Sequence, residues 1–147
     1  MARRFPTDPL VGVGAVIIDG DRVVMCRRGN PPRKGGWSLP GGGQELGETV
    51  AETAVREAYE ETGLRIEVLG IVDVIDSIMT DDNGEIEYHY TLIDVAAQVV
   101  GGALEAGDDA DEVGWFSIDG IRDLDTWKTT VEVIEKALKT YSSSGGK

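Results

Sequence analysis

Apolar runs separated by turn signals divide the first part of the chain into predicted strands. Residues 11–18 are rich in valine and isoleucine and predict a strand, and 19–21 form a polar turn of the hairpin kind. Residues 22–26 predict the return strand. Residues 29–36 hold two prolines and three glycines, so a loop is predicted there, and 37–39 form a brief extended piece after it.

Helical spacing appears after the glycine triplet at 41–43. We predict a helix over residues 48–62, because small and apolar side chains recur three or four positions apart. Gly63, directly after this segment, is typical of a helix C-terminus. The residues that set the spacing are Val50, Ala51, Ala54, Val55, Ala58 and Thr62.

The second half of the chain returns to extended structure before it ends in a helix. Residues 66–79 and 86–100 predict two strands, and the Asn83-Gly84 pair between them is typical of a hairpin turn. The polar, acidic segment 101–112 predicts a loop, and 113–116 predict a short strand.

The last predicted element, together with the others, indicates the fold class. Residues 126–141 predict an amphipathic helix with Trp127, Val131, Ile134 and Leu138 on one side. Strands and helices in this order predict an α/β (α+β) fold, with one mixed β-sheet and helices packed on its faces. The length of 147 residues suits a single domain. We expect its core at about 10–141 and a frayed tail at 142–147.

The net charge of the chain favours some classes of ligand over others. The chain has 27 acidic and 14 basic residues and a net charge of −13, which disfavours nucleic-acid binding through a basic face. An acidic protein can still bind a small phosphate compound through a divalent cation. Cys26 is the single cysteine and is predicted to be a buried, inert thiol. No segment reads as a signal peptide or membrane span, so a cytoplasmic location without membrane contact is expected.

The stretch from Gly41 to Leu64 concentrates the candidate chemistry. A glycine-rich loop leads into a helix N-terminus, where free backbone N–H groups suit an anion. On that helix Glu57, Glu60 and Glu61 fall within about 100° of one another, and their charges repel. A divalent cation would convert this repulsion into coordination. From these residues alone, a solvated acidic helix face remains the alternative.

The same stretch resembles the Nudix box, G-x5-E-x7-R-E-U-x-E-E-x-G-U, where U is aliphatic. Every fixed position is met, Ala58 is a small residue for its U position, and residues 37–42 also look like the family's lead-in. The resemblance implies the Nudix α/β/α sandwich over roughly residues 10–140. The matching residues are Gly42, Glu48, Arg56, Glu57, Ala58, Glu60, Glu61, Gly63 and Leu64.

The resemblance implies a metal site. In the family, the glutamates matching Glu57, Glu60 and Glu61 gather around Mg²⁺ or Mn²⁺, often with the carbonyl of the glycine matching Gly41. The residue matching Glu57 is the general base in some members, whereas others place the base on a later loop. In that loop, at 108–112, relatives often supply a further acidic ligand, and we favour Asp109.

Other candidate residues lie around the box. Arg56 can hold a carboxylate through a bidentate bond, so we interpret it as an orienting residue, and we give Glu48 a supporting role. Arg27 and Arg28 end the second strand, where relatives have basic residues that reach substrate phosphate. Three aromatic residues could stack on a base but are more often found in packing, and His89 is expected to be structural. These aromatic residues are Trp37, Tyr88 and Tyr90.

The resemblance implies hydrolysis of a nucleoside diphosphate linked to another group. Residues 28–35 and 106–109 look most like ADP-ribose pyrophosphatase members, although the proline that many of these carry about sixteen residues after the box is absent at 77–80. The first alternative is a (deoxy)nucleoside triphosphate pyrophosphatase that removes damaged nucleotides. The second is a non-catalytic nucleotide-binding module, which usually loses box glutamates. A homodimer is left open.

Overall fold

The computed structural model describes residues 3–29, 35–107 and 110–142. The strands are β1 (Leu10–Asp19), β2 (Arg22–Arg28), β3 (Trp37–Ser38), β4 (Gly41–Gly43), β5 (Leu64–Thr80), β6 (Ile86–Gly102) and β7 (Ala110–Ser117). The helices are α1 (Val50–Thr62), α2 (Ile118–Arg122) and α3 (Lys128–Ala137), and a π-helical turn, Leu138–Ser142, follows α3. Of the predicted frayed tail, residues 143–147 lie outside the described residues.

The strands of the described chain form one mixed sheet in the order β3-β2-β1-β6-β5. β1 runs parallel to β6, and the other pairs are antiparallel. β1 and β2 pair only beside their turn, at Ile18 with Val23 and Asp19 with Arg22. Beyond that point the two strands separate, and β4 pairs with β1 while β7 pairs with β2. This separation opens the sheet beside the glycine triplet.

Helices cover both faces of the sheet. The small buried residues Ala54 and Ala58 of α1 pack against Val13, Ala15 and Ile17 of β1. On the other face, α3 packs Val133, Ile134 and Ala137 against Val16 of β1 and the buried side chains of β2. Two apolar layers enclosing a mixed sheet confirm the predicted fold class.

Helix α1 begins two residues later than predicted. Thr49 has an extended backbone, and its hydroxyl accepts a hydrogen bond from the Glu52 amide. The Glu52 carboxylate accepts from the Thr49 amide in return, so the pair forms a capping box. The helix ends at Gly63, which has a φ of 76°. Glu48 therefore lies before the helix.

Other differences from the prediction come from long-range pairing. The glycine triplet forms β4 rather than a loop, because it pairs with residues 12–14 of β1. The predicted loop 101–112 is shorter, because Ala110 pairs with Arg28 and extends β7. The short helix α2 was not predicted. Trp127 is the N-cap of α3 rather than part of its buried stripe.

No helix in the described ranges is long and apolar enough to cross a lipid bilayer.

Candidate active site

Arg56 lies at the centre of a charged cluster on α1. Its Nε donates to Glu48 Oε2 at 2.7 Å, and its Nη2 donates to Glu48 Oε1 at 3.0 Å. Nη2 also donates to Gly43 O at 3.0 Å. Nη1 donates to Glu57 Oε2 at 2.7 Å and to Glu60 Oε1 at 3.3 Å. One guanidinium thus joins the segment before the helix, strand β4 and two helix carboxylates.

Glu48 reaches Arg56 because the chain turns back at the start of α1. Thr53 Oγ1 also donates to Glu48 Oε1, at 3.0 Å. The hydrogen bond from Arg56 lowers the pKa of Glu48 to about 2, so this carboxylate is ionised at neutral pH. Glu52, four residues before Arg56 on the same helix, serves the helix cap and makes no ion pair with Arg56 in the structure.

Glu57 lies against the backbone of Gly42. A Cβ atom on Gly42 would stand 2.3 Å from Glu57 Cδ, so only glycine leaves room for this carboxylate. Burial raises the pKa of Glu57, and its bond with Arg56 partly opposes that shift. The Glu57 side chain therefore packs against strand β4 on one side and is hydrogen-bonded by the Arg56 guanidinium on the other.

Glu61 links the helix to the same strand. Its Oε1 accepts a hydrogen bond from the Gly41 amide at 2.6 Å, and Gly41 is itself paired with Gly14 of β1. Glu60, one position earlier, is more than half exposed. The three box glutamates therefore differ in environment: one is half-buried, one is exposed, and one is tied to backbone.

A cleft of about 750 Å³ brings most of the predicted site residues together. This volume lies in the range of about 300–1,000 Å³ that is usual for small-molecule sites. Asp109 lies outside the described residues, and Glu48 touches the cluster through Arg56 rather than lining the cleft. The predicted residues that line the cleft are Arg27, Arg28, Gly41, Arg56, Glu57, Glu60 and Glu61.

Arg27 presents an unsatisfied donor at this cleft. Its Nε is buried and has no hydrogen-bond partner among the described residues. Its Nη1 lies 3.7 Å from Glu112 Oε1, which is a loose and largely exposed ion pair. A buried guanidinium N–H without an acceptor is costly, and an anionic ligand in the cleft would satisfy it.

The oxygen ligands in the cleft have the chemistry that a divalent cation prefers. Mg²⁺ and Mn²⁺ bind hard carboxylate and carbonyl oxygens, which Glu57, Glu60, Glu61 and Gly41 offer. In the structure, the described residues contain no group of three or more acidic, histidine or cysteine side chains positioned to hold a metal ion. Arg56 engages Glu57, and the Gly41 amide engages Glu61. A cation would therefore compete with these two bonds.

A second, apolar cavity of about 170 Å³ adjoins the cleft and shares Arg28, Ser38 and Gly41 with it. Trp37 forms one wall and meets Phe116 edge-on, with ring centroids 5.2 Å apart. Of its lining residues, Trp37 and Tyr90 are the ones that the sequence indicated as possible stacking partners of a base. The other residues that matter below are Gly14, Leu39, Ser77, Asp94, Trp127 and Thr129.

Known proteins resemble this chain in sequence and in fold. A family model described as the NUDIX domain matches residues 8–137. The chain belongs to the Nudix hydrolase family. It is 39% identical over 121 residues to the ADP-ribose pyrophosphatase of Methanocaldococcus jannaschii, across 82% of this chain and 69% of that protein.

Solved Nudix structures agree with the fold. A MutT Nudix hydrolase from Burkholderia pseudomallei superposes with a TM-score of 0.76 at 28% identity, over 88% of this chain and 98% of that one. The bifunctional NMN adenylyltransferase/ADP-ribose pyrophosphatase of Francisella tularensis, solved with AMP and a manganese ion, gives 0.64 at 25% identity, over 92% and 42%. The predicted enzyme class, a Nudix pyrophosphohydrolase, is confirmed by the family and by its pyrophosphatase relative. Nudix hydrolases in general use divalent metal ions.

The remaining sequence candidates of this Nudix chain are the single cysteine and three residues of β6. Cys26 and Tyr88 line the cleft, and Tyr90 lines the apolar cavity. Cys26 is buried, and burial raises the pKa of its thiol, which agrees with an inert side chain. Tyr88 and Tyr90 are also buried, and the Tyr90 hydroxyl accepts a hydrogen bond from the Arg3 amide at 2.9 Å. His89 pairs with Ile78 between β6 and β5 and lines neither the cleft nor the cavity.

Gly42→Ala tests whether the Nudix box glycine positions Glu57. The Gly42 backbone is paired with Val13 and cannot withdraw, so the new Cβ should displace the Glu57 carboxylate. We expect turnover to fall about tenfold, below the cost of about 100-fold for an ångström of misplacement, because the side chain can rotate. Gly101→Ala is the control, since its Cβ would meet only ordinary contacts with Arg65. Equal activity of both variants would contradict this role of Gly42.

Proposed function

We propose that this Nudix hydrolase cleaves the diphosphate bond of ADP-ribose or a related nucleotide sugar. The observation that carries the proposal is the junction of two unlike spaces at Arg28, Ser38 and Gly41. One is a charged cleft with carboxylates and arginines, which suits a diphosphate and its cation. The other is an apolar cavity walled by tryptophan, which suits a flat base. A nucleoside diphosphate compound requires both kinds of space side by side.

Glu57, Glu60 and Glu61, with the Gly41 carbonyl, are the groups that would hold Mg²⁺ or Mn²⁺. When bound, the cation would polarise the phosphoryl oxygens and lower the pKa of water. Asp109 stays a proposed further ligand or base from the loop before β7. The manganese ion in the Francisella tularensis relative supports this choice of cation.

Side chains of the cleft bind the phosphates, position the carboxylates and supply the candidate base. Arg27, with its unsatisfied Nε, and Arg28 line the cleft from the end of β2 and bind the phosphates. Arg56 holds Glu48 and Glu57 in place. Glu57 is the candidate base: it takes the proton of the attacking water while the water oxygen bonds to phosphorus and the bridging oxygen leaves. Its half-buried position favours proton uptake.

A (deoxy)nucleoside triphosphate pyrophosphatase is the second candidate. The similarity to the Burkholderia pseudomallei MutT protein, which extends over nearly all of that chain, favours it. The third reading, a non-catalytic binding module, is weakened because all three box glutamates are present and line the cleft. The homodimer also remains a proposal.

A product panel distinguishes these candidates. The protein is incubated with ADP-ribose, other nucleotide sugars, dinucleotides and (d)NTPs, with Mg²⁺, Mn²⁺ or EDTA, and the products are resolved by chromatography. We expect AMP and a sugar phosphate from ADP-ribose, with turnover abolished by EDTA. Pyrophosphate release from a triphosphate as the main reaction would favour the MutT-like activity. No turnover of any compound with either metal would favour the binding module.

A further inference from the structure

Asp94 is a largely buried acid that lines the apolar cavity and has no part in the proposed catalytic site. It lies on β6 beside Gly14 of β1 and is 9% exposed. A Cβ on Gly14 would stand 2.5 Å from Asp94 Oδ1, so the glycine makes the room that the carboxyl occupies. Arg27 Nε is the one buried polar side-chain atom without a partner in the described residues, so the Asp94 carboxyl is not sealed in the core but lines the cavity. A ligand in the cavity could therefore pair with this carboxyl directly.

The walls around Asp94 suit a planar ring. Trp37 and Trp127 supply flat surfaces, and Leu39 and Leu92 supply apolar ones. The cavity of about 170 Å³ is similar to the space of about 150 Å³ that holds a benzene-sized ring in a protein interior. A ring placed there would present its polar edge to Asp94, the acid among the lining residues.

The protonation state of Asp94 determines which hydrogen-bonding groups of a bound ring it can pair with. Desolvation by burial, with a smaller contribution from Asp73 on β5, raises the pKa of Asp94 to about 7. Asp73 is in turn 3.6 Å from Lys136 of α3, which offsets part of its charge. The other titratable or charged groups at the cavity are Arg28 of β2 and Tyr90 of β6 itself. A ligand that excludes water from the cavity favours the neutral carboxyl further.

We propose that neutral Asp94 selects the base of the substrate by pairing with an edge that has one donor beside one acceptor, as adenine presents. This inference rests on the proposed function, because it assigns the base of the same substrate. A neutral carboxyl has one O–H donor and one carbonyl acceptor, which match the adenine amino group and the adjacent ring nitrogen.

Guanine responds to the protonation state of the carboxyl in the opposite way. Its pairing edge carries one acceptor, O6, followed by two neighbouring donors, the ring N–H and the amino group. A neutral carboxyl can pair with O6 and the ring N–H but leaves the amino group unpaired. An ionised carboxylate matches both donors of guanine, whereas it places an acceptor against the ring nitrogen of adenine. Asp94 thus makes base choice dependent on pH.

The test uses uncharged probes without metal, so that the acidic cleft and the catalytic step do not contribute. Adenosine and guanosine are titrated against the protein in EDTA at pH 6 and pH 8.5, with the fluorescence of Trp37 and Trp127 as the signal. Three variants are compared with the unchanged protein: Asp94→Asn, Asp94→Leu and, as the control, Asp76→Asn on an exposed face of β5. Asparagine keeps one donor and one acceptor at every pH, and leucine keeps neither.

The expected pattern is specific to the neutral acid. Adenosine affinity of the unchanged protein should fall by about 10- to 30-fold from pH 6 to pH 8.5, as the binding-competent fraction falls. Asp94→Asn should bind adenosine equally at both values, and Asp94→Leu should lose about tenfold or more at pH 6. Asp76→Asn should follow the unchanged protein. A pH-independent adenosine affinity, or a preference for guanosine at pH 6, would overturn the proposal.

A measurement without any ligand tests the neutral state separately. An acid with a raised folded-state pKa contributes stability at low pH that is lost as pH rises from its unfolded value towards 7. Asp94→Asn should therefore raise the melting temperature more at pH 8.5 than at pH 5.5. An equal effect at the two values would show that Asp94 is ionised throughout and overturn the inference.

If adenosine binding follows the expected pattern but no nucleotide is hydrolysed, the proposed function fails and the inference on Asp94 stands. If ADP-ribose is hydrolysed but adenosine affinity is the same in the Asp94 variants as in the unchanged protein, the proposed function stands and the inference on Asp94 fails.

Discussion

Glu61→Gln should lower turnover by about 100- to 1,000-fold and leave the protein folded, because a charged ligand to the cation is worth several kcal/mol of barrier. The fold should survive because the glutamine oxygen can still accept the hydrogen bond that Gly41 now donates to Glu61. What is lost is the negative charge at a cleft whose proposed occupant is a cation. Turnover of ADP-ribose is measured at saturating substrate, with manganese affinity followed by its paramagnetic effect on water relaxation.

Glu52→Gln is the matched control for this variant. It removes the same charge from the same helix, but Glu52 serves the capping box, in which glutamine performs equally well. Its activity and metal affinity should match those of the unchanged protein. Loss of activity in Glu52→Gln would trace the effect to helix charge in general. Near-native turnover of Glu61→Gln would remove Glu61 from the metal site.

The box residues are the part of the site that the sequence predicts best. Helix geometry is local, so spacing alone placed Glu57, Glu60 and Glu61 on one side of a helix, and the structure lines one cleft with them. The strands of the first hairpin were also predictable, because residues 11–18 are rich in valine and isoleucine and a polar turn follows them. In these segments the local sequence pattern and the tertiary environment favour the same secondary structure.

Features that depend on pairing between distant segments could not be predicted. Gly41–Gly43 has no strand propensity and becomes β4 only because it meets β1. The start of α1 is a different case, because the Thr49-x-x-Glu52 capping box is a local signal that marks Thr49 as the N-cap and leaves Glu48 outside the helix. Asp94 looks like an interruption in an apolar run, and only the opening beside Gly14 turns it into a cavity residue. Its one local signal was an acid within residues 92–97, which are otherwise apolar.

Arg56→Lys should lower kcat by about 10- to 100-fold, as is usual when a residue that orients metal ligands is lost, although the charge is kept. The guanidinium makes a bidentate bond to Glu48 and separate bonds to Glu57 and Gly43 O. A single ammonium cannot span these positions. Glu57 would lose its anchor while Gly42 still confines it, so we expect kcat to change much more than KM.

The control for the geometry of Arg56 is Arg122→Lys. Arg122 also joins two acids, Asp119 and Glu135, but it does so on the exposed surface of α2 and α3. Exposed pairs contribute little, so this variant should keep full activity and stability. Steady-state kinetics and melting temperatures are compared for both variants and for Arg56→Met. Lysine should recover little of the kcat that methionine loses, because the function of Arg56 lies in the planar fork rather than in its charge. Full recovery by lysine would mean that charge alone is sufficient, and Arg56 would then screen the glutamates without orienting them.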